Sequence, residues 1–116
     1  MAMSASTALV NKTGRMIMFT SITQVNDDST WDVNPAAGKK IQDGEQCLIS
    51  MGNSSAFIFP KGVGFEAHFV DSDFNIGGVT LDDPAIGKHE FSYSGNFNYK
   101  EENPSGNSYV ITITNK

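Results

Sequence analysis

Two histidines and one cysteine are the side chains in this sequence best suited to catalysis or metal binding. Acyl transfer needs a base positioned beside a nucleophile, and glycosyl transfer needs two carboxylates at a fixed separation. Neither pattern is visible in the residue spacing. His68 falls on the solvent side of a predicted strand and His89 in a predicted loop, so we expect surface or hydrogen-bonding histidines. They also lack metal-ligand spacing to each other or to Cys47. The sequence therefore predicts no enzyme, no metal site and no cofactor.

The cysteine has a structural interpretation. Cys47 shares its alternation with Ile49 and Met51, which predicts a small buried hydrophobic residue and not a reactive thiol. A single cysteine also cannot close an internal disulfide, so packing alone must hold the fold together.

An acidic stretch is similar to calcium-binding loops. Asp71-Ser72-Asp73 is followed by Asn75 and two glycines, and such loops place alternate oxygen ligands around a sharp glycine turn. The twelfth position, where these loops carry Glu, is Asp82 here. Acidic residues are also common in turns between strands, so we favour a turn and leave calcium binding near Asp71–Asp73 open.

Aromatic side chains beside turns are the candidates for surface recognition. Trp31 stands in a polar, turn-like stretch, where we expect partial exposure. Its indole suits a lipid headgroup layer or a sugar face, and a lid over the core is the alternative. Phe57 and Phe59 lie in a short apolar run just before the cation Lys61. We predict that these four residues contact a membrane, since aromatics beside a cation can enter the interface.

The elements that must position these side chains are strands, because helical periodicity is nearly absent and β-branched and aromatic residues alternate between turn-forming clusters. Turns recur every eight to twelve residues, which is typical of sandwiches and small barrels. We predict an all-β, single-domain antiparallel β-sandwich covering residues 1–116. The predicted strands are Ser6–Asn11, Arg15–Asn26, Lys39–Gln42, Glu45–Met51, Ala56–Phe59, Phe65–Val70, Phe74–Leu81, Phe91–Lys100 and Ser108–Thr114.

Two details of this strand pattern matter below. Asp43-Gly44 predicts a two-residue hairpin between its flanking strands. In the strand Phe91–Lys100, four aromatic residues fall on one face, and core packing, a pore-lining strand and a ligand-facing patch are the alternatives for them. These four are Phe91, Tyr93, Phe97 and Tyr99.

Composition narrows the class of function. The 116 residues suffice for one domain, and eight Phe can supply a packed core. The net charge of −5, without a basic cluster, argues against nucleic acid as a partner. The first ten residues lack the cationic and apolar regions of a signal peptide, and no stretch has the length of a membrane helix. We therefore expect cytoplasmic synthesis.

Four stretches, in this order, resemble the aegerolysin family. They are Val10–Gly14 at the end of the first strand, Trp31 after the second, Phe59–Glu66, and Leu81–Lys88. The spacing is similar to that of the small component of bacterial two-component insecticidal crystal toxins, and the match runs from about Ala8 to Lys116. Aegerolysins often carry several tryptophans near membrane-facing loops, whereas this chain has only Trp31.

The resemblance implies a non-enzymatic, membrane-targeting toxin component of the pore-forming type. Such a protein is an antiparallel β-sandwich that recognises a target-cell lipid, notably a sphingolipid, or a receptor, and permeabilises insect gut cells with a larger partner protein. It would be released or crystalline and act outside the cell. The alternatives are a carbohydrate-binding β-sandwich lectin, because fold does not fix function, and a self-assembling or storage protein that forms homo-oligomers.

Overall fold

The computed structural model describes residues 3–25, 29–53, 62–83 and 88–116, and within them the chain forms ten strands and no helix. The all-β prediction is confirmed. The strands are β1 Met3–Lys12, β2 Ile17–Gln24, β3 Thr30–Val33, β4 Lys40–Ile41, β5 Gln46–Asn53, β6 Val63–Asp71, β7 Ile76–Asp83, β8 Glu90–Gly95, β9 Phe97–Ser105 and β10 Ser108–Asn115.

The strands form two five-stranded sheets. One has the order β3-β5-β1-β10-β9 and the other the order β4-β2-β6-β7-β8. Every pair is antiparallel except β1 with β10, which run parallel from Ser6 opposite Ser108 to Lys12 opposite Thr114. The predicted sandwich is therefore mostly antiparallel, with one parallel pair at the middle of the first sheet.

The core lies between the inner faces of the two sheets, where alternate residues of each central strand are buried. On β6, Phe65, Ala67 and Phe69 are fully buried while Glu66 and His68 face outwards, as the alternation predicts. The same pattern buries Cys47 with its neighbours of equal parity on β5, confirming the structural interpretation of this residue. Burial raises the pKa of the Cys47 thiol, with Lys39 opposing the rise.

The predicted hairpin at Asp43-Gly44 is wrong. The two residues do turn the chain, with Gly44 at a φ of +85°, but β4 pairs with β2 whereas β5 pairs with β1 and β3. The turn therefore crosses between sheets. It is tied to the end of β1, because Gly44 N donates to Asn11 O at 2.6 Å and Gly14 N donates to Asp43 Oδ1 at 2.9 Å.

The predicted strand Phe91–Lys100 is also wrong, because the chain changes sheets at Gly95. β8 closes one edge of its sheet and β9 closes the facing edge of the other. Gly95 has a φ of +88°, and a Cβ there would lie 2.0 Å from the carbonyl oxygen of Ile76. Only glycine fits so close a crossing. Three of the four aromatic rings still pack together, since Tyr93 stacks on Phe91 at a centroid separation of 6.3 Å and on Tyr99 at 4.7 Å, whereas Phe97 packs on Phe69.

Other strands also differ from the sequence prediction, which placed no strand at β3. The second strand covers only 17–24 of the predicted range Arg15–Asn26, and Phe74 precedes β7 and does not lie in it. Asp71 ends β6 and forms the next turn with its own carboxylate, which keeps residues 72–75 out of the ladder. The predicted strand Ala56–Phe59 lies outside the described residues.

Candidate functional site

The turn between β6 and β7 is built around one buried carboxylate. Asp71 Oδ1 accepts hydrogen bonds from the backbone N–H groups of Asp73 and Asn75, both at 2.9 Å, and Oδ2 accepts one from Asn75 Nδ2 at 3.0 Å. The backbone closes the same turn, since Phe74 N donates to Asp71 O at 3.1 Å. Aspartate favours such turns because its side chain can bond the backbone that follows. Residues 71–75 are therefore held in one conformation.

Arg15, from the segment between β1 and β2, fixes this turn from outside. Its Nε lies 3.6 Å from Asp71 Oδ2 and 3.1 Å from Asp73 Oδ2. Burial of the Asp71 carboxyl acts to raise its pKa, but the hydrogen bonds from Asn75 and Asp73 and the charge of Arg15 together lower it. The carboxylate therefore stays ionised near neutral pH, and the turn keeps its central acceptor.

Two large apolar side chains project from this turn into solvent. Phe74 is 85% exposed and Ile76 is 63% exposed. Phe74 also has a φ of +63°, in the left-handed region that bulky residues rarely occupy. Residues held in such sparsely populated conformations cluster at functional sites. Exposure and backbone conformation together make Phe74 and Ile76 the strongest recognition candidates in the described part of the chain.

A polar cleft lies beside this apolar pair, at the same end of the sandwich. It has a volume of about 560 Å³ and is lined by Arg15, Asn75, Asn96, Asn115 and Lys116. The crossing at Gly95 places Asn96 here, because Asn96 N donates to Ile76 O at 2.9 Å. We call this cleft, with Phe74 and Ile76 beside it, the Arg15 end.

A second cluster of functional groups fills the edge between β8 and β9. His89 Nε2 lies 2.9 Å from Glu101 Oε1, and Tyr93 donates to Glu101 Oε2 at 3.0 Å. The His89 ring packs on Tyr109 at 4.5 Å and Phe91 packs on Tyr109 at 5.3 Å. Burial and the neighbouring Glu101 raise the pKa of Tyr93 well above its ordinary value. Phe97 is buried in the core and Phe91 and Tyr99 pack against it, which supports core packing for these three residues, whereas Tyr93 is 38% exposed.

The two histidines lie on different elements, His68 on β6 and His89 just before β8. His89 is a hydrogen-bonding residue, as predicted, although its ring also packs against aromatic neighbours. His68 lies on the outer face of β6, with Nε2 3.0 Å from Glu66 Oε2. Within the described ranges, no three His, Cys, Asp or Glu side chains converge as a metal site requires. The Asp71 oxygens that calcium would need are taken by backbone donors, Asn75 and Arg15.

The structure separates Trp31 from the Arg15 end. Trp31 lies on β3, opposite the buried Met51, and is half-buried against the core. Trp31 is therefore partly exposed and also covers part of the core. Membrane contact by Trp31 stays a prediction. Phe57, Phe59 and Lys61 lie outside the described residues.

The sequence analysis did not identify Phe74 and Ile76 as exposed recognition residues, because it placed both in the predicted strand Phe74–Leu81. A signal for the exposed turn was present. Asp71 has Asp two residues on and Asn four residues on, the composition of an Asx turn that ends a strand. The apolar residue at position 74 then falls inside a turn and not inside a ladder.

Comparison with known proteins gives structural neighbours only. No family model matches the chain, and no curated protein matches it. A crystal structure of RahU in complex with a TRIS molecule superposes with a TM-score of 0.69 at 16% identity, covering 96% of this chain and 92% of RahU. IP-1A from Alcaligenes faecalis superposes with a TM-score of 0.71 at 13% identity, covering 97% of this chain and 91% of IP-1A.

What is shared is the fold. At these identities, the likeness to RahU and IP-1A supports the two-sheet architecture over nearly the whole chain and assigns no ligand to it. Within the described ranges there is also no helix long and apolar enough to cross a membrane.

Proposed function

We propose that this chain is a non-enzymatic, aegerolysin-like toxin component that docks on target-cell membranes and acts with a larger partner protein. The observation that carries the proposal is the rigid turn at the Arg15 end, which presents Phe74 and Ile76 to solvent. An aromatic and an aliphatic side chain held away from the core can enter a lipid interface without unfolding the turn. The shared fold with RahU and IP-1A supports the architecture that the resemblance implies.

Charge constrains how this docking works. The net charge of −5 gives no general attraction to anionic lipids, which draw in polybasic segments. Binding would rest on apolar contact and on neutral headgroups or a receptor. We therefore expect affinity for vesicles that does not increase when anionic lipid is added.

The partner and the setting follow from the same resemblance. We propose that the chain is made in the cytoplasm, released or deposited in crystals, and active outside the cell, where the larger protein completes a permeabilising complex on insect gut cells. Genomic neighbourhood tests this directly. A gene for a larger toxin-like protein beside this one supports the proposal, and its absence in the source genome counts against it.

Vesicle co-sedimentation tests docking by the apolar turn. We expect the chain to bind zwitterionic vesicles, with and without sphingolipid, and Phe74→Ala with Ile76→Ser to weaken binding about tenfold or more, since two apolar anchors are removed. Leu48→Ala is the matched control, because Leu48 is 45% exposed on β5, away from the Arg15 end. Failure to bind any composition, or equal loss in both variants, would contradict lipid contact through this turn.

A further inference from the structure

The polar cleft at the Arg15 end presents fixed hydrogen-bond acceptors. Asn75 donates through Nδ2 to the Asp71 carboxylate, and Asn115 donates through Nδ2 to the backbone oxygen of Thr13. Both partner atoms are acceptors only, so chemistry requires the NH2 group of each carboxamide to face them. Each Asn is thereby held in a defined orientation, and within the described residues neither Oδ1 accepts a hydrogen bond. Two oriented acceptors are available to a ligand.

The remaining lining residues add donors. Asn96 is exposed, and its carboxamide has no hydrogen bond to any described residue, so it offers both a donor and an acceptor. Arg15 makes its ion pairs to Asp71 and Asp73 through Nε, so its terminal NH2 groups are not used in those pairs. Lys116 brings a second cation. The cleft lining therefore offers both donors and acceptors.

This mixture selects against phosphate. A phosphate group near neutral pH is anionic and presents mainly acceptor oxygens, so it offers few donors to the Oδ1 atoms of Asn75 and Asn115. A hydroxyl group donates and accepts at once, so it can bond a carboxamide oxygen on one side and a guanidinium or ammonium group on the other. Ligands with several neighbouring hydroxyls match the cleft best.

We propose that the cleft lined by Arg15, Asn75, Asn96, Asn115 and Lys116 binds a saccharide through its hydroxyl groups. The cleft volume of about 560 Å³ accommodates one or two sugar rings. The site lies beside Phe74 and Ile76, so a sugar carried by a membrane glycoconjugate would occupy the cleft while the apolar pair meets the lipid. Only this membrane placement rests on the proposed function; saccharide binding itself does not require it.

A glycan array and a titration with free sugars test the proposal without any lipid. We expect the chain to bind a subset of immobilised oligosaccharides, and Asn96→Ala to weaken that binding about tenfold, since it removes a donor and an acceptor from the ligand. Asn107→Ala is the matched control, because Asn107 is an exposed asparagine in the turn between β9 and β10, outside the cleft lining. It should leave binding unchanged.

Nuclear magnetic resonance locates the bound sugar. Titration with galactose, mannose and N-acetylglucosamine should shift the side-chain amide signals of Asn75, Asn96 and Asn115 more than that of Asn107. An array with no bound glycan overturns the proposal, and so does glycan binding that Asn96→Ala leaves intact. Inorganic phosphate that shifts the same amides more strongly than the sugars would overturn the choice of ligand class.

The two proposals fail separately. Phe74→Ala with Ile76→Ser should reduce binding to glycan-free vesicles and change binding of free oligosaccharides less than twofold, and Asn96→Ala should do the reverse. If Phe74→Ala with Ile76→Ser loses vesicle binding but still binds oligosaccharides, the saccharide site is independent of the lipid contact. Loss of both activities in both variants would contradict two separable contacts at the Arg15 end.

Discussion

Two buried aspartates stand at opposite ends of the hairpin formed by β6 and β7, and their pKa values shift in opposite directions. Asp71 is 4% exposed and Asp83 is 6% exposed. The pKa of Asp71 is lowered although its burial acts to raise it, because hydrogen bonds and Arg15 outweigh desolvation. Burial raises the pKa of Asp83, Asp82 adds to the rise, and His89 and Tyr109 oppose it.

The difference lies in the partners and not in the burial. Asp71 accepts three hydrogen bonds from its own turn, whereas the described partner of the Asp83 carboxylate is the Tyr109 hydroxyl at 3.4 Å. A buried charge is stable only when its lone pairs are satisfied. The hydrogen bonds of Asp71 thus fix the turn that holds the exposed Phe74. At the other end of the hairpin, ionisation of the Asp83 carboxyl costs free energy of folding.

Removing the buried charge of Asp71 should have the largest effect on the stability of the fold. Asp71→Asn keeps the shape but turns an NH2 group towards Asn75 Nδ2 and Arg15, and we expect a loss of about 3 kcal/mol in the free energy of unfolding. Asp73→Asn is the control, because Asp73 is largely exposed and pairs with Arg15 at the surface, so a change within about 0.5 kcal/mol is expected. Urea denaturation measures both.

The pH dependence sharpens this test. A folded-state pKa below the unfolded one means that Asp71 contributes stability above its ordinary value of 3.8, and that this stability is lost as the pH falls through the lowered pKa. The deficit of Asp71→Asn relative to the wild type should therefore shrink below pH 3.8. A deficit independent of pH would show that the carboxylate charge does not hold the turn.

The two aromatic recognition candidates, Trp31 and Phe74, should differ in how much each side chain stabilises the fold. Trp31 is half-buried against the core, so Trp31→Ala should lower the free energy of unfolding by about 2 kcal/mol. Phe74 is 85% exposed, so Phe74→Ala should change it by less than about 0.5 kcal/mol. Thermal or urea unfolding of the two variants decides. Equal losses would mean that Phe74 packs on the protein in solution and is not free for a ligand.

Periodicity in the sequence predicted the core strands well, because a strand with one buried face must alternate. On β6 the alternation of Phe65, Ala67 and Phe69 with polar residues fixes which side is inside. It could not reveal where the chain changes sheets. The crossing at Gly95 depends on a close approach to Ile76, and the crossing at Asp43-Gly44 depends on bonds to Asn11 and Gly14, which are distant in the sequence.

The site was harder to predict for a related reason. Polar neighbours predicted partial exposure of Trp31 but could not decide between surface recognition and a lid; the register opposite Met51 places the side chain half-buried against the core. Phe74 was predicted to begin a strand, yet the Asp71 carboxylate forms a turn that keeps residues 72–75 out of the ladder. Exposure of one side chain depends on where the ladder stops. Here the strand ends because the Asp71 carboxylate bonds Asp73 and Asn75, and Arg15, distant in the sequence, adds its ion pairs to that turn.

At the other end of the hairpin, replacing Asp83 should have a smaller effect than replacing Asp71, and it should increase stability. The pKa of Asp83 is raised in the fold, so its ionisation costs stability that the protonated form would keep. Asp83→Asn removes this charge while its carboxamide oxygen can still accept from Tyr109, and we expect a gain of about 1 kcal/mol in the free energy of unfolding at pH 7. The gain should vanish below pH 3.8, where the wild-type carboxyl is protonated in both the folded and the unfolded states. Urea denaturation at pH 7 and below pH 3.8 measures this gain. If Asp83→Asn were destabilising at pH 7, the Asp83 charge would be satisfied in the folded protein, and this explanation of its raised pKa would be contradicted.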